Sequence, residues 1–143
     1  MNINIWFLPV AIGFGTAFVH LIIKKAGRNI RKWVSLTGAL AVLFSCFYSM
    51  YVNYNGLSSG EVLGLLFATL ISFIGLFSIS FSQWYNPEAN FVYDALLFLF
   101  LGGMLGVVLT HSLIALYIYW EIMSVASFFL VLFTDTDEAR KAS

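Results

Sequence analysis

One uncharged run of about 22 residues, Ser112–Phe133, is interrupted near its centre by a single carboxylate, Glu121. Roughly 20 apolar residues in a helix cross the ~30 Å hydrocarbon core of a bilayer, so this run predicts a transmembrane helix. A carboxylate at that depth costs about 2.5–3.5 kcal/mol on insertion scales. Glu121 must therefore be protonated, paired with a cation or in contact with water. Each state makes it a candidate for moving protons or ions; the alternative is that it only joins one helix to another.

The rest of the chain has the same membrane character. It is 61% hydrophobic and 10% charged, whereas soluble domains average about 25% charged residues. We predict an all-α, polytopic membrane protein that forms a single helical bundle over residues 1–143, with a short cytoplasmic tail at residues 134–143. Hydropathy predicts five transmembrane helices: Ile5–Ile23, Trp33–Tyr54, Val62–Phe81, Phe91–Leu109 and Ser112–Phe133.

The basic residues predict the orientation of these helices. Five of the seven lie between Lys24 and Lys32, in the first loop. The positive-inside rule places this loop in the cytoplasm, so the N-terminus lies outside and, after five spans, the C-terminus lies inside. The basic cluster is short and is explained by topology, so no nucleic-acid partner is expected.

Small residues in the apolar spans predict close helix packing. Gly102 and Gly106 are four residues apart, a spacing that lets two helices in a membrane approach closely. Cys46 is the single cysteine and lies in an apolar run, so it has no partner for an internal disulfide and is interpreted as a packing residue.

Glu121 shares one face of its predicted helix with other polar and aromatic side chains. Tyr117, Ser124 and Phe128 stand on that face at helical spacing, and Trp120 flanks it. Tyr117 and Ser124 are placed to hydrogen-bond the carboxyl group from the turns before and after it. Every lysine and arginine lies outside the predicted spans, so a cation for Glu121 must come from another chain.

The other titratable residues are weaker candidates for a proton relay. His20 lies about one turn before the basic loop, where a hydrogen-bonded structural histidine is the competing interpretation. His111 lies in the tight turn between spans four and five, and a plain turn residue is its alternative. Asp94 is near the start of span four, where a helix N-terminus favours an acidic side chain. The spacing of residues predicts no metal site, phosphate-binding loop or nucleophile triad, so we expect no cofactor and no self-contained catalytic site.

Two segments resemble a known family. Gly102–Thr110 and Tyr119–Leu130, which contains the Trp120–Glu121 pair and spaced serines, are similar to the antiporter-like subunits. These subunits occur in respiratory complex I, in Mrp-type multisubunit sodium/proton antiporters and in membrane-bound hydrogenases. Leu70–Gly75 resembles the third helix of the same family. The similarity extends over about residues 62–141, and the first 60 residues match mainly in hydropathy.

The resemblance implies a role for Glu121. In this family a glutamate of the fifth helix pairs with a lysine on a broken seventh helix, and the pair controls proton movement within the membrane. Glu121 matches that glutamate, whereas the lysine and the later helices are absent from this sequence. Thr110–His111 also differs from the Asp-Asn pair common at this turn. The chain therefore resembles the N-terminal part of such a subunit, and the lysine is expected on another membrane chain.

These observations predict a subunit of a multisubunit complex in a prokaryotic cell membrane. It would supply the glutamate half of a proton or sodium/proton translocation site, within an antiporter or an ion-translocating oxidoreductase of the NADH dehydrogenase or hydrogenase type. Two alternatives stay open. One is a structural membrane subunit in which Glu121 serves assembly alone. The other is a small proton-coupled drug transporter, although such proteins have about four spans and carry the glutamate in the first.

Overall fold

The computed structural model describes residues 6–85 and 90–142, and the side chains of residues 6–85 and 90–133. The described residues form five α-helices joined by short connections. In chain order they are α1 (Leu8–Ile22), α2 (Arg28–Asn53), α3 (Ser59–Tyr85), α4 (Phe91–Leu109) and α5 (Leu113–Ala142). The prediction of an all-helical chain is confirmed, and each helix coincides with one predicted span.

Local sequence explains several helix ends. Pro9 occupies the first turn of α1. Backbone N–H groups in a first turn have no acceptor within the helix, so proline, which lacks an N–H, costs no hydrogen bond there. At the start of α3, the Glu61 carboxylate accepts hydrogen bonds from the backbone N–H and the hydroxyl of Ser58, both at 2.8 Å. The bond from the Ser58 N–H to the Glu61 side chain is one half of a capping box. Glu61 is therefore a capping residue of the first turn of α3.

The helix lengths differ from the predicted spans at several ends. α2 begins at Arg28, so much of the basic loop is helical, and α5 continues through the predicted tail to Ala142. Within residues 6–85 and 90–142, four helices, α2 to α5, are long and apolar enough to cross a membrane. α1 is apolar and shorter, with 15 residues. Ile5, where the first span was predicted to start, lies outside the described residues.

The helices pack as a ring of four with a fifth on its outside. α1 contacts α2 and α4, and α3 also contacts α2 and α4, so these four helices close around a common core. α5 packs chiefly on α4, with which it forms an antiparallel hairpin. The core includes Val42, Leu65, Phe98, Leu105 and Leu109, all of which are buried. Most of the membrane-spanning part of α5 is exposed in the isolated chain.

Glycines on α4 allow this close packing, as predicted. The Gly102 backbone approaches Gly13 of α1 so closely that a Cβ on Gly13 would lie 3.1 Å from the Gly102 Cα. On α4 one turn later, a Cβ on Gly106 would overlap the ring of Tyr119. The two glycines therefore bring α1 and α5 onto α4. Cys46 is buried, and its sulfur lies 3.2 Å from the Ser72 hydroxyl across the α2–α3 contact.

Candidate functional site

The candidate site residues lie in three places: along α5, at the end of the bundle next to the basic loop, and at the opposite end. The helices alternate in direction, so the end of α1 and the starts of α2 and α4 meet at the basic-loop end. The start of α1, the start of α3 and the α4–α5 turn meet at the other. Which end faces the cytoplasm stays a prediction from the positive-inside rule.

Glu121 lies on the exposed side of α5. Tyr119, Met123 and Ala126 form the inner side of this helix, because Tyr119 and Met123 pack on the glycines of α4 and Ala126 is buried. At about 100° per residue, Glu121 lies roughly opposite the mean direction of these three side chains. Glu121 itself is exposed. The carboxyl group therefore points away from the four-helix ring.

The predicted stripe around Glu121 is present on that exposed side. Tyr117 lies one turn before Glu121, and its hydroxyl interacts electrostatically with the Glu121 carboxylate. The side chains of Tyr117, Trp120 and Phe128 are 63%, 55% and 63% exposed, and Ser124 is exposed as well. Over the part of the chain whose side chains are described, no lysine, arginine or histidine forms an ion pair with Glu121. The stripe is thus a surface of this chain, with its carboxylate facing outward.

A second polar group is buried at the basic-loop end. His20 of α1 and Asp94 of α4 are 0% and 3% exposed. The His20 Nε2 atom lies 2.9 Å from the Ser35 hydroxyl of α2. The Gln83 side chain of α3 donates a hydrogen bond of 2.8 Å to Asp94 Oδ1, and its nitrogen lies 3.4 Å from the Ser35 hydroxyl. We call His20, Ser35, Gln83 and Asp94 the buried polar cluster.

Sequence reasoning found two members of this cluster and missed the others. His20 and Asp94 are separate relay candidates in the sequence, each with a local structural explanation, and the tertiary structure connects them through Ser35 and Gln83. Gln83 is the clearest missed signal, because it is an uncharged polar residue near the end of a long apolar span. Ser35 carries no such signal, since serine is common in membrane helices.

At the opposite end, His111 lies near Glu61. The His111 Nε2 atom is 3.7 Å from Glu61 Oε1, and the His111 ring lies 5.6 Å from the Trp6 ring. The Trp6 indole donates a hydrogen bond of 2.7 Å to the Leu109 carbonyl. A shallow cavity of about 390 Å³ lies beside Glu61 and His111. His111 is thus far along the bundle from His20 and Asp94, so the three relay candidates do not form one site.

The described residues contain no group of three or more His, Cys, Asp or Glu side chains placed to hold a metal ion. One outward-facing carboxylate stands on α5, and one buried carboxylate–histidine group stands among α1 to α4.

Known proteins resemble about half of the chain. Over 75 residues, or 50% of this chain, it is 47% identical to the protein named Na(+)/H(+) antiporter subunit A1 in Staphylococcus aureus strain JH9. The identity and length are the same for the protein of that name in strain Newman. This chain is similar to a sodium/proton antiporter subunit. The matched segment spans only 9% of each relative's own length.

The family resemblance predicted from the sequence is confirmed by these antiporter subunits. Together with the apolar helices, it identifies the chain as a multi-pass integral membrane protein of a prokaryotic cell membrane. No family model matches the chain, and no solved structure matches it.

Proposed function

We propose that this chain is part of a multisubunit sodium/proton antiporter and supplies Glu121 to its ion-translocating site. The observation that carries the proposal is the position of Glu121 on the exposed side of α5, opposite the side that packs on the four-helix ring. A carboxylate exposed to lipid at this depth is unfavourable. A neighbouring protein segment that offers a cation or water would remove that cost.

The chemistry follows from the pairing of a carboxylate with a cation. A lysine from a segment outside this chain, placed beside Glu121, is stabilised in its charged form, and the carboxylate is stabilised in its ionised form. When the two separate, the lysine releases a proton more easily and the carboxylate accepts one more easily. Alternation between the paired and separated states moves a proton. The Tyr117 hydroxyl, one helical turn before the carboxylate, orients it during this exchange.

The similarity to Na(+)/H(+) antiporter subunit A1 favours an antiporter over a redox-driven complex as the host. The position of Glu121 on α5 and not on α1 disfavours the small drug transporter. In the structural alternative, Glu121 serves only assembly. Glu121→Gln should then keep both assembly and transport, because an amide can still hydrogen-bond.

The decisive experiment replaces Glu121 in the assembled complex. Glu121→Gln keeps size and hydrogen-bonding capacity but removes the titratable charge, so it should abolish or strongly reduce sodium/proton antiport in vesicles while the complex still assembles. Glu121→Asp should retain part of the activity. Glu61→Gln, which removes one carboxylate at the end of the bundle, is the charge-matched control and should leave antiport largely unchanged. Wild-type antiport by Glu121→Gln would assign the residue to assembly alone.

A further inference from the structure

Four helices each contribute one side chain to the buried polar cluster. His20, Ser35, Gln83 and Asp94 come from α1, α2, α3 and α4 in that order. His20 and Ser35 are fully buried, and Asp94 is nearly so. Burial of polar and charged groups is unfavourable unless they are hydrogen-bonded or paired. A structural connection between four apolar helices needs no histidine or aspartate, since serine and glutamine can hydrogen-bond without carrying a charge.

The hydrogen bonds of His20 define where a proton can bind. The His20 Nδ1 atom lies 2.8 Å from the Thr16 carbonyl oxygen. A carbonyl only accepts hydrogen bonds, so Nδ1 carries a proton in both charge states of the ring. The site of proton gain is therefore Nε2, which faces the Ser35 hydroxyl at 2.9 Å.

Ser35 can satisfy either charge state of His20. A neutral ring accepts a hydrogen bond from the Ser35 O–H at Nε2, whereas a protonated ring donates its Nε2–H to the same oxygen. The change needs only a rotation of the Ser35 hydroxyl. The adjacent Gln83 nitrogen remains a donor to Asp94 Oδ1 in both states.

The charged and titratable groups that face His20 come from α2 and α4. Asp94 interacts electrostatically with His20 of α1 and with Arg31 of α2. α3 contributes the neutral Gln83, and α4 contributes Phe98, whose ring stacks on His20 with centroids 5.4 Å apart. The group thus holds one carboxylate, one permanent cation and one histidine whose charge can change. Protonation of His20 adds a cation within reach of the Asp94 carboxylate.

We propose that the buried polar cluster is a second proton-binding site, distinct from Glu121. A proton from water at the basic-loop end forms an N–H bond at His20 Nε2, the Ser35 hydroxyl turns to accept from it, and Asp94 stabilises the imidazolium. Gln83 and Arg31 are only partly buried, and α3 ends two residues after Gln83, so we place the source of the proton on this side of the cluster. Proton binding here is independent of the proposed antiport, and only its use in transport depends on that function.

The direct test is a titration of His20 in the full chain. The sequence has two histidines, so His111→Gln leaves His20 as the single signal in nuclear magnetic resonance of the 15N-histidine-labelled chain assembled with unlabelled partner subunits in lipid bilayers. The His20 ring should pass reversibly from neutral to charged as the pH falls, with Nδ1 protonated throughout. Asp94→Asn removes the counter-charge and should move the midpoint of this titration to lower pH by about one unit or more.

Two outcomes of the titration would overturn the proposal. One is a His20 ring that keeps a single charge state over the range in which the folded chain can be studied. The other is a His20 midpoint that Asp94→Asn leaves unchanged, since the carboxylate would then have no part in binding the proton.

A second test measures sodium/proton antiport by the assembled complex. His20→Gln preserves hydrogen bonds to Thr16 and Ser35 but cannot gain a proton in this pH range. It should shift the pH profile of sodium/proton antiport while Glu121 remains in place, and His111→Gln should not. An unchanged pH profile for His20→Gln overturns the use of this site in transport. Failure of the proposed function would have a different result: Glu121→Gln would keep wild-type antiport, while the titration of His20 would be unaffected.

Discussion

Tyr119 and Glu121 are two residues apart on α5 and lie on opposite sides of it. The Tyr119 ring packs on Gly106 of α4 and stacks on Phe14 of α1, with centroids 6.1 Å apart, whereas Glu121 is exposed. Helical geometry requires this separation, because two residues are about 200° apart around the axis. The contact that holds α5 on the four-helix ring therefore also directs the Glu121 carboxylate toward the lipid or partner segment on the outer side of α5.

This relationship predicts that the chain depends on partner segments for stability. Its exposed α5 side carries a carboxylate and two hydroxyl side chains, Tyr117 and Ser124, which lipid would not satisfy. We expect the chain to co-purify with larger membrane subunits after mild detergent extraction, and to aggregate when produced alone. A monodisperse and antiport-active preparation of the isolated chain would contradict this.

Tyr117→Phe tests the interaction of the hydroxyl with Glu121. The variant removes one oxygen from the exposed side of α5, so the fold should keep its stability while antiport falls severalfold. Tyr48→Phe, at an exposed tyrosine of α2, is the matched control and should have wild-type activity. Equal rates for both variants in vesicles would show that the Tyr117 hydroxyl has no part in orienting the carboxylate.

Gly106→Ala tests the packing of α5. The added methyl group overlaps the Tyr119 ring, and overpacking of this kind typically costs about 1–3 kcal/mol. We expect a lower midpoint in thermal unfolding of the complex. Gly15→Ala provides the control, because nothing lies within 4 Å of a Cβ at Gly15 and alanine favours a helix. A Gly106→Ala complex as stable as the Gly15→Ala complex would argue against the α4–α5 contact.

Trp6→Phe tests the connection at the end opposite the basic loop. The indole N–H donates to the Leu109 carbonyl at 2.7 Å from a buried position. Phenylalanine keeps an aromatic ring but leaves that carbonyl without this donor, a loss of about 1–3 kcal/mol. Chemical denaturation of the complex should show the change, and Trp84→Phe, at an exposed tryptophan, should show little.

Cysteine labelling tests the orientation of the bundle. Gly27 and Gly56 lie in connections at opposite ends, and a Cβ at either position has open space around it. In a Cys46→Ala background, Gly56→Cys should react with an impermeant thiol reagent from outside, together with Asn2→Cys. Gly27→Cys and Ala142→Cys should react only from the cytoplasmic side. Labelling of Asn2→Cys and Ala142→Cys from the same side would exclude an odd number of spans.

The sequence by itself determined the helices, the spans and the candidate carboxylate. Long apolar runs separated by polar turns leave few alternatives in a membrane, because every backbone N–H and C=O must be paired within its own helix. Helical spacing placed Tyr117, Ser124 and Phe128 beside Glu121, and the structure keeps them on one exposed side. These features are local, so residues within one helix suffice to predict them.

Only the tertiary structure decided which polar residues meet. His20, Ser35, Gln83 and Asp94 are dispersed over 75 positions of sequence, from 20 to 94, and each has an ordinary local interpretation. They come together because the small residues Gly13 and Gly102 let α1 approach α4 while α2 and α3 close the ring. Helix pairing in a membrane depends on close contacts between whole surfaces, and hydropathy does not encode those contacts. For the same reason the sequence could place Glu121 in a helix, but only the packing of Tyr119 on Gly106 turned it outward.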